Sequence, residues 1–134
     1  MIEREAVRDA PADYTVAPMS ILADVATAVV ALQHLAFLVL EMFLWDKPFG
    51  MKVFRQSPEF ARQSKALAAN QGLYNGFLAA GLAWGLVSAS QPFKVFFLAC
   101  VIVAGVYGAW SVSRRILWVQ AAPAAAALGL LLAS

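Results

Sequence analysis

The sequence predicts an all-α integral membrane bundle of four transmembrane helices, and three observations predict it. Four apolar stretches each approach the roughly 20 residues that cross a hydrocarbon core. The 134 residues are 62% hydrophobic and only 13% charged, where soluble domains run near half and a quarter; the mean hydropathy is +0.71. The apolar runs are continuous and do not alternate, which removes a β-barrel from consideration. The length suits one domain.

The elements follow in order. Residues 1–18 carry Glu3, Arg4, Glu5, Arg8, Asp9 and Asp13, a polar mixture that reads as a flexible tail and not as the basic start of a signal peptide. The transmembrane domain then occupies residues 19–134. Its first span covers about residues 19–45, with Pro18 just ahead, where a helix can begin. Asp46, Lys47, Pro48, Phe49 and Gly50 stop it. The second covers about residues 65–88 and the third about residues 93–110, joined by a tight turn at Ser90, Gln91 and Pro92. Ser113, Arg114 and Arg115 lead into the fourth, about residues 116–133. Pro123 lies inside that span. It has no N–H, so it should kink the helix or mark a close contact, and the carbonyl it frees needs another partner in lipid.

Between the first two spans, Phe49, Met51, Val53, Phe54 and Phe60 interleave with Lys47, Lys52, Arg55 and Arg62. This pattern predicts a short amphipathic segment lying on an anionic leaflet. The loops after spans one and three hold seven Lys and Arg, against three on the other side. The positive-inside rule therefore places those loops in the cytoplasm and both termini outside. Trp45, Trp110 and Trp118 then fall at the cytoplasmic interface.

Span one contains Asp24, Gln33, His34 and Glu41. His34 and Glu41 are seven residues apart, on one helix face and about 10 Å apart along the axis. Span two contains Asn70, Gln71, Tyr74 and Asn75, paired at intervals of four into one polar face. Hairpin geometry predicts that the two sets meet, with Glu41 level with Ala68 and His34 level with Asn75. Tyr107 and Gln120 approach from the last two spans, and Arg114 and Arg115 supply interfacial charge. A charge at the bilayer centre costs about 2.5–3.5 kcal/mol on insertion scales. His34 is the only histidine and titrates naturally near neutrality. Set against a functional reading is a purely structural one, in which Asn and Gln bridge helices at under about 2 kcal/mol per bond. Gly72 with Gly76, Gly81 with Gly85, and Gly105 with Gly108 permit close helix approach.

Several classes fall away. A net charge of +2 argues for no nucleic-acid partner. Cys100 is the only cysteine, so neither an intrachain disulfide nor a cysteine metal cluster can form; it reads as a small buried hydrophobe. One histidine and scattered carboxylates fall short of a metal set. No phosphate-cradling glycine loop or serine elbow is present. No cofactor is expected.

His34 followed by Glu41-Met42-Phe43-Leu44-Trp45, then Ser57-Pro58-Glu59-Phe60, resembles a bacterial membrane-protein family catalogued as domain of unknown function 1304. So do the runs from Lys65 to Phe77, Val103 to Gly108 and Val119 to Pro123. The resemblance covers roughly residues 19–132 and leaves the polar tail outside it. It implies a small four-helix protein of the bacterial inner membrane, and it carries no activity over.

Three functions compete. The first is binding or transport of a small amphipathic or lipophilic molecule between spans one and two, with His34 and Glu41 as polar anchors; transport would need a homodimer. The second is a membrane-embedded isomerase or epimerase using Glu41 and His34 as acid and base. The third is a structural or accessory subunit with no ligand. Membrane lipids are partners on every reading.

Overall fold

The computed structural model describes residues 16–134, and every described element is helical: α1 (Val16–Met42), α2 (Pro48–Phe54), α3 (Pro58–Val87), α4 (Gln91–Ser111) and α5 (Ala122–Ala133), with a π-helical turn at Leu117–Ala121 leading into α5. The tail assigned to residues 1–18 lies outside the described residues as far as position 15; from Val16 onward the chain is already helical.

Local chemistry sets the boundaries. Lys47 is extended (φ −94°, ψ 157°), as a residue before proline prefers, and Pro48 opens α2. Arg55 ends α2 in the left-handed region (φ 53°). Ser57 caps α3 by accepting from the Phe60 N–H at 3.2 Å, with Pro58 and Glu59 in the first turn. Ala89 turns the chain at φ 51°, and Pro92 sits in the first turn of α4.

Two boundaries differ from expectation. α1 stops at Met42 instead of near Trp45, because Phe43 to Lys47 form a turn. α3 starts at Pro58 instead of Lys65, because the Ser57-Pro58-Glu59 start signal lies seven residues ahead of the apolar run.

α1, α3, α4 and α5 alternate in direction, and each packs on its chain neighbours; α5 returns against α1 to close the ring. The core is thin and built from small residues. Ala23, Val30, Leu82, Leu98, Ala124 and Ala127 are buried. Gly105 lets α4 reach the π-turn: a Cβ there would stand 2.8 Å from both the Ala121 nitrogen and Cβ. The outer surface is apolar, with Leu32, Leu67, Val87, Phe96, Val103 and Trp110 all exposed. The interior holds Thr27, His34, Asn75 and Lys94. Two helices, Pro18–Met42 and Gln91–Ser111, are long and apolar enough to cross a membrane; Leu117–Ala133 is apolar and shorter. These apolar helices suggest membrane association.

The carbonyl four residues before Pro123 belongs to Val119, and Gln33 of α1 supplies its donor, Nε2 to oxygen at 2.6 Å. The helix relaxes into the π-turn at that point, with Ala122 N–H reaching back to the Leu117 carbonyl. Gln33→Leu should therefore cost about 1–3 kcal/mol by stranding that carbonyl. Adding Pro123→Ala restores a donor within the helix and should recover most of the loss. Thermal unfolding of the two single variants and the double variant in detergent measures this coupling.

Candidate functional site

Position on the helix wheel decides which polar side chains of α3 meet α1. At 100° per residue, positions 70, 71, 74 and 75 span an arc of about 140°. Only the Asn75 edge of that arc adjoins the buried face, which carries Ala68, Gly72 and Ala79. Asn75 is accordingly buried, whereas Asn70, Gln71 and Tyr74 are exposed. The expectation that all four residues face inward is thus corrected.

Asn75 Nδ2 donates to the Glu41 carboxylate at 2.6 Å. Gly72 packs beside it, where a Cβ would stand 3.1 Å from the Glu41 Cβ. Glu41 is half-buried. The register therefore differs from the predicted one: Gly72 and Asn75, not Ala68, stand beside Glu41. Trp45 misled because it lies in the turn. Its indole N–H donates to Ser64 Oγ at 3.0 Å, but the α1 helix has ended before it.

His34 is fully enclosed. Its Nδ1 lies 2.8 Å from the Val30 carbonyl. A carbonyl only accepts, so Nδ1 carries the proton and neutral Nε2 is left as an acceptor. That Nε2 is buried without a hydrogen-bond partner, and the ring edge packs on Phe37 with centroids 5.5 Å apart. His34 and Glu41 share α1's inner side as expected, but the structure brings only Glu41 to Asn75. Tyr107 is exposed on the outside of α4, Gln120 is half-buried in the π-turn, and Arg114 and Arg115 are exposed between α4 and the π-turn. These four do not join the α1/α3 seam at Glu41. Trp118 is also exposed.

A shallow surface depression lies elsewhere, on the outside of α4. It is apolar and lined by Phe96, Ala99, Cys100, Val103 and Tyr107. Cys100 is half-buried there, not enclosed as expected. Among the described residues, no three His, Cys, Asp or Glu side chains gather to hold a metal ion.

Two interior links were not anticipated. Lys94 Nζ donates to Asp24 Oδ1 at 2.7 Å, with Lys94 nearly enclosed and Asp24 half-exposed. The available signal was two lone opposite charges near the same end of antiparallel spans. The other link is Gln33 to Val119. α1 thus holds one polar tie to each long partner: Asn75 on α3, Lys94 on α4, and Val119 in the π-turn before α5.

At the end where α1 meets α3, Lys65 hydrogen-bonds Asp46 at 2.7 Å. That bond, with Lys47 nearby, holds the Asp46 carboxyl below the ordinary carboxylate range.

Together these features define a small all-helical protein with an apolar exterior and a few interior polar groups that tie its helices together. The chain belongs to the family described as "Protein of unknown function (DUF1304)", whose model matches residues 28–132. It is 28% identical over 114 residues to the uncharacterized protein YpaA of Lactococcus lactis subsp. lactis (strain IL1403), covering 82% of this chain and 96% of that protein. No solved structure matches.

Proposed function

We propose that this chain is an integral membrane protein of four spans that binds a small amphipathic molecule from within the bilayer, at the α1/α3 seam beside Glu41 and Asn75. The outer surface is largely hydrocarbon, while Thr27, His34, Asn75 and Lys94 are held inside the bundle, an arrangement that suits lipid solvation. α4, with 21 residues, is about 31 Å long, close to the roughly 30 Å hydrocarbon core. The part of α3 after Lys65 is of comparable length, and the helix from Leu117 through the π-turn to Ala133 is shorter, at about 26 Å. Exposed Trp110 and Trp118 lie at the basic end and Trp84 near the other, as interfacial belts do. The basic end is cytoplasmic on this reading, in the bacterial inner membrane.

One observation carries the binding reading. A half-buried carboxylate, hydrogen-bonded to Asn75, stands at a helix seam in a largely apolar surface. An amphipathic molecule can place its polar head there and leave its tail among the surrounding acyl chains. Acid–base catalysis by Glu41 and His34 has less support, because His34 is enclosed and its proton is committed to Val30. A structural subunit is the second reading, favoured by the shortness of the Glu41–Asn75 bond, which serves equally as an interhelical lock.

The test is mass spectrometry of small molecules co-purified with the wild type and with Glu41→Gln, which keeps shape and removes charge. A charge-assisted bond is worth about 1.5–3 kcal/mol, so one defined amphipathic species should fall about tenfold or more. Identical profiles would leave the structural subunit.

A further inference from the structure

We infer that α2 is a rigid platform that docks on anionic phospholipid headgroups. This inference rests on the membrane reading of the bundle and is independent of the Glu41 seam. α2 is locked to the body by several contacts. Gly50 is buried against the Leu44 carbonyl. Gln56 Nε2 donates to the Trp45 carbonyl at 2.9 Å. Phe54 packs on the Trp45 ring with centroids 4.7 Å apart, and Trp45 is itself tied to Ser64 of α3. The opposite face carries Phe49, Lys52 and Val53, spaced i, i+3 and i+4, and therefore adjacent. Phe49 is 62% exposed and Val53 44%. Large apolar side chains held outward on a fixed helix gain free energy by leaving water.

Charge identifies the occupant. This end of the bundle carries Lys47, Lys52, Arg55, Arg62, Lys65, Arg114 and Arg115, against Asp46 and Glu59. Both acids are engaged, Asp46 with Lys65 and Lys47, and Glu59 with Arg62. Lys52, Arg55, Arg114 and Arg115 have no carboxylate partner among the described residues. Cations set among exposed Phe49 and Val53 match a surface that is anionic at the phosphodiester and apolar just beneath it, which is a phospholipid leaflet. A free phosphate would satisfy the cations and leave the apolar pair in water.

The experiment is native mass spectrometry of the detergent-solubilised full chain, titrated with phosphatidylglycerol, phosphatidylcholine or inorganic phosphate. Each cation at an anionic surface is worth about fivefold in affinity. The wild type should prefer phosphatidylglycerol by about tenfold or more. Lys52→Gln with Arg55→Asn, an asparagine being at ease in the left-handed conformation, should weaken that lipid about 25-fold without lowering the melting temperature. Phe49→Ala with Val53→Ala should weaken both lipids, and Gly129→Ala, where a Cβ meets nothing within 4 Å, should leave the preference unchanged. Equal binding of the two lipids, a preference unaffected by the Lys52 and Arg55 changes, or full displacement by inorganic phosphate would each overturn the proposal.

Discussion

Gly50→Ala is expected to destabilise the protein by about 3 kcal/mol and to free α2 from the bundle. The added methyl would overlap the Leu44 carbonyl oxygen, stand 2.6 Å from its carbon and 3.3 Å from the Trp45 Cα. All three are backbone atoms, so no rotamer change relieves the overlap. Either the turn from Phe43 to Lys47 opens or α2 lifts away. Thermal unfolding in detergent reads the loss, and limited proteolysis around Lys52 and Arg55 reads the detachment. Gly129→Ala is the matched control. Nothing lies within 4 Å of a Cβ there, so it should be neutral or stabilise α5 by up to about 1 kcal/mol. Equal melting temperatures for the two variants would show that α2 is not clamped at Gly50.

Asp24→Ala should cost about 3 kcal/mol, because it leaves the nearly enclosed Lys94 ammonium without its carboxylate. Lys94→Met on its own should cost less, since Asp24 is half-exposed and its charge can find other solvation. The double variant Asp24→Ala with Lys94→Met should lie closer to wild type than Asp24→Ala does, since a buried ion pair is often replaced by apolar groups at little net loss. Melting temperatures of the four proteins give the coupling. If the two single losses simply add, the 2.7 Å bond contributes nothing to stability.

Helical content and the order of the long helices were legible because each apolar run is long and the breaks carry proline, serine or paired charges. The segment at α2 was legible from its interleaved aromatic and basic residues. Pro123 announced a stranded carbonyl, but no linear pattern names Gln33 as its donor, because that depends on how α5 rotates against α1. The candidate site was less legible. Its predicted register counted from Trp45 and Lys65, and helix pairing counts from where helices actually end, at Met42 and Pro58. The polar set on α3 was treated as one face, although only Asn75 lies on its packed side. His34 and Glu41 share a side, yet sequence spacing says nothing about enclosure, and enclosure separates the two chemically.

The three polar ties of α1 also bear on how the molecule is made. A ribosome releases α1 before any of its partners exists, so its acid, amide and carboxylate groups enter the assembly process unmatched. They are satisfied in chain order, Glu41 by α3, Asp24 by α4 and Gln33 by the last segment. Truncation after α4 would thus leave Gln33, of these three, without its partner.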